Sequence, residues 1–429
     1  MAPPVPVRSG GSESRLRLAG GAGKIPFVIP SSWAWRGILI LGLGIAPDPA
    51  GAQPSWNPDI QPIVQRACQG CHTAGGVAPF SMESYADAAP HAAQIATMVE
   101  RRAMPPWKAD DACRPLQGSR RLPDDDVAKL VAWARGGAAE GPPTAPATAG
   151  PPIGLEWVDA ELTMAQPYTP STTRPDDYRC FVIDPSLPGE RDLIGYDIVP
   201  GQRSLVHHVL LYGVPRAEAL RLDAAEAGPG YTCFGGPGSG LGTVYGAWVP
   251  GTSATRYPEG TGITMATGDV IVMQIHYNTS HGADPTHPTH AIAPDLTAIK
   301  LQLSRDRVEK PALILPIADL NFTIPPKTSG YSTSVSFPMP TAAVLYGVGP
   351  HMHTRGRSIV VAADNTCLVN VPAWDFNWQQ LYQFAEPLIL RPGMRLKLSC
   401  TWDNATDKTI RWGEGTEDEM CLNYFYLTR

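Results

Sequence analysis

From Leu155 to the C-terminus the hydrophobic positions fall in short runs of β-branched and aromatic residues, broken by Gly, Pro and Asp. Examples are Asp192-Leu-Ile-Gly-Tyr-Asp-Ile-Val199, Asp269-Val-Ile-Val-Met-Gln-Ile-His-Tyr277, Thr297-Ala-Ile-Lys-Leu-Gln-Leu303 and Met420-Cys-Leu-Asn-Tyr-Phe-Tyr426. This pattern predicts many short strands, and about 270 residues of it suit two all-β sandwiches. Before Leu155 the pattern changes. The segment 88–102 has a helical spacing of apolar residues. Asp124-Asp-Asp-Val-Ala-Lys-Leu-Val-Ala-Trp-Ala134 reads as an amphipathic helix with acids at its start, Arg135 in its last turn and Gly136-Gly137 to end it. Gly141-Pro-Pro-Thr-Ala-Pro-Ala-Thr-Ala-Gly-Pro-Pro152 then reads as an extended, semi-rigid linker. The expected organisation is a leader over 1–52, a small all-α domain over 53–141, a linker over 142–154, and two all-β domains over 155–310 and 311–429.

Composition narrows the class. The 429 residues are 43% apolar and 17% charged, as in a folded, core-forming protein. The formal charge of −6 and the absence of a Lys/Arg run argue against a nucleic-acid partner. Arg8, Arg15, Arg17, Lys24 and Arg36 precede the apolar run Gly37-Ile-Leu-Ile-Leu-Gly-Leu-Gly-Ile-Ala46, and Ala50-Gly-Ala52 follows. That order is a signal peptide cleaved near Ala52, placing the mature chain in the periplasm or outside the cell. The run is too short for a bilayer, which needs about 20 residues, so no stable membrane span is expected.

Cys68-Gln-Gly-Cys71-His72 is the attachment motif of a c-type haem. Two thiols on one helical turn bond the vinyl groups, and the next imidazole ligates iron. The alternatives for a CxxC are a redox pair or half of a zinc site; no second CxxC exists to complete the latter. Met104, in Arg101-Arg-Ala-Met-Pro-Pro-Trp107, is the expected sixth ligand, since a rigid turn can present its thioether. Met82 and Met98 are the competing methionines, each with a core role as its simpler reading. Helix, CxxCH, Met turn and closing helix together resemble a small cytochrome c.

Histidines recur in the strand region. Leu205-Val-His-His-Val-Leu-Leu-Tyr212 carries adjacent His207 and His208, which point to opposite faces of a regular strand and share a metal only across a twist or bulge. Gln274-Ile-His-Tyr277 supplies His276 from a strand apolar on both faces, where an imidazole needs a partner. Tyr346-Gly-Val-Gly-Pro-His-Met-His-Thr354 places His351 and His353 on one face and Met352 on the other. Met420 follows Glu417-Asp-Glu419. Taken singly, each of these residues is read as an ordinary core or surface side chain. His281, His287 and His290 sit in a Pro-rich loop and are assigned nothing.

Together, Val206-His-His-Val-Leu-Leu-Tyr-Gly213, Gln274-Ile-His-Tyr277, His351-Met-His353 and Glu419-Met-Cys421 resemble, in order and spacing, the copper type II ascorbate-dependent monooxygenases. The resemblance covers residues 155–429. It implies two jelly-roll-like sandwich domains with one copper each, two per chain. It assigns His207, His208 and His276 to the copper that passes an electron, and His351, His353 and Met420 to the copper where O2 and substrate meet. Imidazole suits copper in either state and a thioether favours Cu(I), whereas Met is a poor zinc ligand. The resemblance also pairs Cys180 with Cys233 and Cys400 with Cys421. Cys113 and Cys367 remain, either bridged to each other or unpaired. The peptide-hydroxylating members carry an Arg before the HxH pair; here Leu345-Tyr-Gly-Val-Gly-Pro350 has no basic residue, which argues against a C-terminal glycine peptide. Tyr424 matches a substrate-contacting Tyr, and also reads as a plain strand aromatic. Arg355 and Arg357 follow the pair and offer recognition of an anion, with surface placement as the simpler reading.

The function expected is an exported copper monooxygenase. It hydroxylates an activated C–H bond of a small organic molecule with O2, and the fused haem relays electrons from an external donor. The alternatives are a copper and haem electron carrier without oxygenase activity, and a zinc hydrolase.

Overall fold

The computed structural model describes residues 53–74, 78–143, 154–240, 242–249, 252, 254–279, 292–376 and 378–429. The expected leader, most of the linker, and His281, His287 and His290 lie outside the described residues.

The N-terminal part is helical. Gln61–Ala67 begins with Pro62 in its first turn, where a missing N–H costs nothing. The helical segment expected over 88–102 is broken by Pro90 into a short turn at Ala89–His91 and a helix at Ala92–Glu100. Asp124–Arg135 carries three acids in its first turn and Arg135 in its last, both favourable to the helix dipole. These helices enclose Trp56, Ile60, Val64, Leu130 and Trp133. Trp56 N–H on Ala139 O, 2.8 Å, ties the two ends of the segment.

The remainder is mostly β, in sandwich-type sheets. One long sheet runs Ala160–Thr163, Ala298–Leu303, Arg191–Val199, Thr261–Met265, Lys310–Ala318, Leu422–Thr428, Ala343–His351, Tyr382–Leu390. A five-stranded sheet packs on its first half, with Asp176–Ile183, Asp269–Asn278 and Val206–Pro215 side by side. A four-stranded sheet, Thr328–Pro338, Arg395–Asn404, Gly356–Ala363 and Thr366–Val371, packs on its second. Each half has its own apolar core, built by the alternation of inward residues along these strands. The halves nevertheless share the long sheet. Lys310, Pro311 and Ala312 pair in parallel with Thr261, Gly262 and Ile263, a joint that no local pattern announces.

The helical part is also built into the second half. Beyond Pro106 the chain runs as an arm that buries Trp107 and Ala109 in the second core. Asp110 N–H donates to Asn370 O and Gln117 N–H to Gln383 O, both at 2.8 Å. Cys113 is bonded to Cys367, S–S 1.97 Å. Cys180–Cys233 and Cys400–Cys421 form two further disulfides. Among the described residues no helix is long and apolar enough to cross a membrane.

Candidate metal centres

Three strand-borne histidines converge in the first half. His208 lies opposite His276, and the register shifts between Val206 and His208, so His207 is an extra residue in its strand. That bulge turns His207 toward the same side as its neighbour. His208 Nδ1 lies 3.3 Å from His207 Nδ1 and 3.4 Å from His276 Nδ1. Imidazole nitrogens about 2.0 Å from a first-row ion stand about 3.4 Å apart, so the spacing is that of a ligand set. The three ligand atoms lie within 4.8 Å of one another. Asp176 Oδ1 accepts the His276 Nε2 proton at 2.8 Å, which leaves Nδ1 for a metal. Tyr178, paired with His276 across the strands, stacks on its ring at 4.1 Å. Burial pushes His276 below its ordinary pKa against the pull of Asp176, and pushes His208 well below it, so both rings are neutral.

Asp176 does more than orient a ring. Burial acts to raise its carboxyl, but hydrogen bonds from His276 and Thr416 outweigh it and hold the group below the usual range. Thr416 Oγ1 donates to Oδ1 at 2.6 Å and Thr416 N–H to Oδ2 at 3.2 Å. Tyr178 adds a hydrogen bond from its hydroxyl to Glu414 O, 2.8 Å. The 414–416 turn of the second half is thereby fastened to a strand of the first.

The second half presents His351 at the end of its strand and His353 two residues on. Met352 between them is fully buried in the core. His351 Nδ1 donates to Gln379 Oε1 at 2.6 Å and His353 Nδ1 to Asp418 O at 3.2 Å, leaving both Nε2 atoms for a metal. Burial pushes His351 down to about 4 and His353 to about 3. Met420 is 5% exposed and lines the same cavity as both histidines. Glu419 fixes this arrangement. Its Oε2 accepts from His353 N–H, Trp402 Nε1–H and Met420 N–H, and its Oε1 from Arg355 N–H. Burial pushes the Glu419 carboxyl up to about 7 against those donors.

The two donor sets face each other. The His208 and His351 rings are 6.3 Å apart. Phe376 stacks on His207 at 4.2 Å and stands 6.0 Å from His353. Both sets border a cavity of about 810 Å³, which His208, His351, His353, Met420 and Tyr424 line. Glu414 and Arg429 are the charged residues, other than histidine, among its described walls. A side chain at Gly349, two residues before His351, would run into Leu381, so the glycine lets Leu381 pack onto the strand there.

Residues 313–428 match the copper type II ascorbate-dependent monooxygenase, C-terminal domain. That family supports copper as the metal and an oxidoreductase as the class. DBH-like monooxygenase protein 1 of Homo sapiens is 25% identical over 251 residues, covering 52% of this chain and 39% of that protein. Tyramine beta-hydroxylase of Caenorhabditis briggsae is 23% identical over 249 residues, covering 53% and 40%. The chain thus spans about two fifths of the length of these curated relatives. Among solved structures, the major capsid protein P2 from Bacteriophage PM2 aligns at TM-score 0.27 and 10% identity over 63% of this chain and 97% of that one, a likeness that carries no argument. The donor chemistry here agrees with the family's metal: imidazoles in one set, imidazoles plus a thioether in the other.

The CxxCH segment has a compatible geometry. Cys71 N–H and His72 N–H both donate to Cys68 O, so the three residues share one turn. His72 Nδ1 donates to Phe80 O at 2.9 Å, leaving Nε2 for iron. The six other cysteines pair, while Cys68 and Cys71 carry no disulfide. Burial pushes Cys68 up to about 12 and Cys71 upward. Met82 is buried in the helical core, whereas Met104 is half-buried in the turn after the Ala92–Glu100 helix. Sequence reasoning missed Asp176, Phe376 and Gln379, each of which sits far along the chain from the histidine it touches. Glu419 alone offered a hint, as an acid directly before a buried Met.

Proposed function

We propose that the chain is a copper-dependent monooxygenase of small organic molecules, with electrons entering through a haem held by Cys68, Cys71 and His72, with Met104 as its sixth ligand. The overall reaction consumes R–H, O2, two electrons and two protons and yields R–OH and water. Bound copper supplies the one-electron chemistry that O2 and the C–H bond require, and bound haem supplies electrons from an external donor.

The protein's part is positioning. His207, His208 and His276 hold one copper through Nδ1, with Asp176 and Tyr178 fixing the third ring. His351, His353 and Met420 hold the other, with Gln379, the Asp418 carbonyl and Glu419 fixing the donors. Neutral imidazoles at His208, His276, His351 and His353 are available without prior loss of a proton. The cavity seats substrate beside Met420 and Tyr424, and its Gly349–Leu381 wall fits an apolar group better than a carboxylate. The observation that carries this reading is the pair of donor sets facing one cavity, His208 6.3 Å from His351. A thioether in one set disfavours zinc hydrolysis. The cysteine pairing fits an oxidising compartment after export.

The deciding experiment combines metal analysis with labelled oxygen. Two coppers and one haem per chain, and a product gaining one atom from 18O2, are expected. Copper without any oxygenated product supports an electron carrier, and zinc in the His351 set supports a hydrolase. Stopped-flow mixing with O2 tests the relay: reduced haem reoxidises faster with copper present, and an unchanged rate after copper removal refutes it.

A further inference from the structure

One loop, between the strands Thr366–Val371 and Tyr382–Leu390, touches both donor sets. Phe376 stacks on His207 at 4.2 Å and 19° between ring planes. Gln379 Oε1 holds His351 Nδ1, and its Nε2 donates back to Phe376 O at 3.0 Å, so the two contacts are tied within the loop. Trp374 Nε1 donates to His353 O at 3.1 Å. His207 belongs to the first half and His351 and His353 to the second, so a shift of this loop moves ligands of both sets at once.

The loop is gripped from outside by the arm of the helical part. Lys108 Nζ lies 3.0 Å from Asp375 Oδ2, next to Phe376. Trp107 packs edge-on against Tyr382, just beyond the loop, at 5.4 Å. The arm is in turn bonded to the strand that leads into the loop, through Cys113–Cys367 and a hydrogen bond from Asn370 to Asp110. Lys108 is four residues from Met104, and its ion-pair partner is Asp375. Lys108 and Asp375 are each about a third exposed or less, so the pair is partly shielded from solvent.

We propose that Phe376 is a positioning residue for the three-histidine set, and that the arm sets the position of Phe376 through Lys108 and Asp375. The helical part and the copper ligands are then mechanically coupled through a single loop. An aromatic face against an imidazole fixes its plane, and the plane of a ligand ring sets its overlap with the metal. This inference rests on the copper reading above.

The test uses the full chain loaded with copper alone, read by Cu(II) electron paramagnetic resonance, by copper affinity at each set and by melting temperature. Phe376→Leu is expected to alter the spectrum of the three-histidine set and weaken its copper about tenfold, the lower end for groups that orient a ligand. Phe376→Tyr restores both. Lys108→Gln is expected to shift the same spectrum in the same direction with an unchanged melting temperature, and Lys108→Arg to restore it. A purely structural role lowers the melting temperature without a spectral change, and that outcome overturns the proposal. So does a spectrum that neither Phe376→Leu nor Lys108→Gln alters. If Phe376→Leu fails to fold, the Lys108 pair decides alone. A wild-type chain that takes up no copper at the three-histidine set refutes the copper reading instead.

Discussion

Replacing Asp176 by Asn isolates the contribution of a charge to a metal ligand. Asp176 Oδ1 receives His276 Nε2–H at 2.8 Å and Thr416 Oγ1–H at 2.6 Å, and Oδ2 receives Thr416 N–H at 3.2 Å. An amide has one acceptor oxygen and one NH2. With its oxygen toward His276, the NH2 faces the Thr416 N–H, two donors with no acceptor between them. With the amide turned, NH2 faces Nε2 and moves the imidazole proton to Nδ1, where the metal has to bind. Either way His276 loses its carboxylate partner. Loss of such a partner weakens metal binding about 10–100-fold, or about 1.4–2.7 kcal/mol. The side chain of Asp176 is 16% exposed, so water restores little of the lost interaction. The assay is competitive copper titration of the full chain, with the two sets separated by their spectra. The expected result is a loss confined to the three-histidine set. Thr416→Val keeps the carboxylate on His276 and is expected to leave that affinity within about twofold. Equal affinities in wild type and Asp176→Asn refute the assignment of Nδ1 as the ligand atom of His276.

Other substitutions test other parts of the design. Glu419→Gln keeps one acceptor oxygen for the three donors on its Oε2 side and sets an NH2 against Arg355 N–H, so a destabilisation of about 2 kcal/mol in denaturant unfolding is expected, with weaker copper at the His351 set; an unchanged midpoint argues that the bracket is dispensable. Replacing Cys113 and Cys367 together by Ser opens a bridge across 254 residues and is expected to cost about 2–5 kcal/mol. Peptide mapping without reductant checks its premise, and a free thiol at either position sinks it. Replacing Cys68 and Cys71 together by Ser is expected to abolish covalent haem, read as Soret absorbance that survives acid–acetone extraction; wild-type chain lacking that absorbance removes the haem from the account.

Much of the fold was legible because strands announce themselves locally. The alternation that buries Tyr196 and Ile198 in one core is written in neighbouring residues. Adjacent His207 and His208 can share a metal only across a twist or bulge, since a period of two sends neighbours to opposite faces, and the strand is bulged at His207. The same rule sends Met352 to the face opposite His351 and His353, and there it is buried in the core. What stayed hidden depends on distant pairing. Asp176 and Thr416 are 240 positions apart, and no spacing rule joins them. The parallel pairing of Lys310–Ala312 with Thr261–Ile263, which joins the two sandwich-type halves through one long sheet, stayed hidden in the same way. The arm escaped notice because Trp107 and Ala109 look like the end of the helical part, whereas they fill the core of another.

The surroundings of the two donor sets differ in a way that bears on which oxidation state each favours. The first set leans on a carboxylate: Asp176, held below its usual pKa, accepts from His276 and makes that ring a stronger donor. The second set leans on neutral acceptors, the Gln379 amide and the Asp418 carbonyl. Glu419 stands close by, but its oxygens are occupied by three backbone N–H groups and the Trp402 indole and reach neither imidazole. The second set also offers the thioether of Met420. A harder, more strongly donating set stabilises Cu(II), and a softer, neutral one stabilises Cu(I). With copper in both sets, the gradient would run from the His276 side toward the His351 side across the 6.3 Å that separates His208 from His351. Neutralising Asp176 would flatten that gradient as well as weaken the set, so that carboxylate matters beyond metal retention.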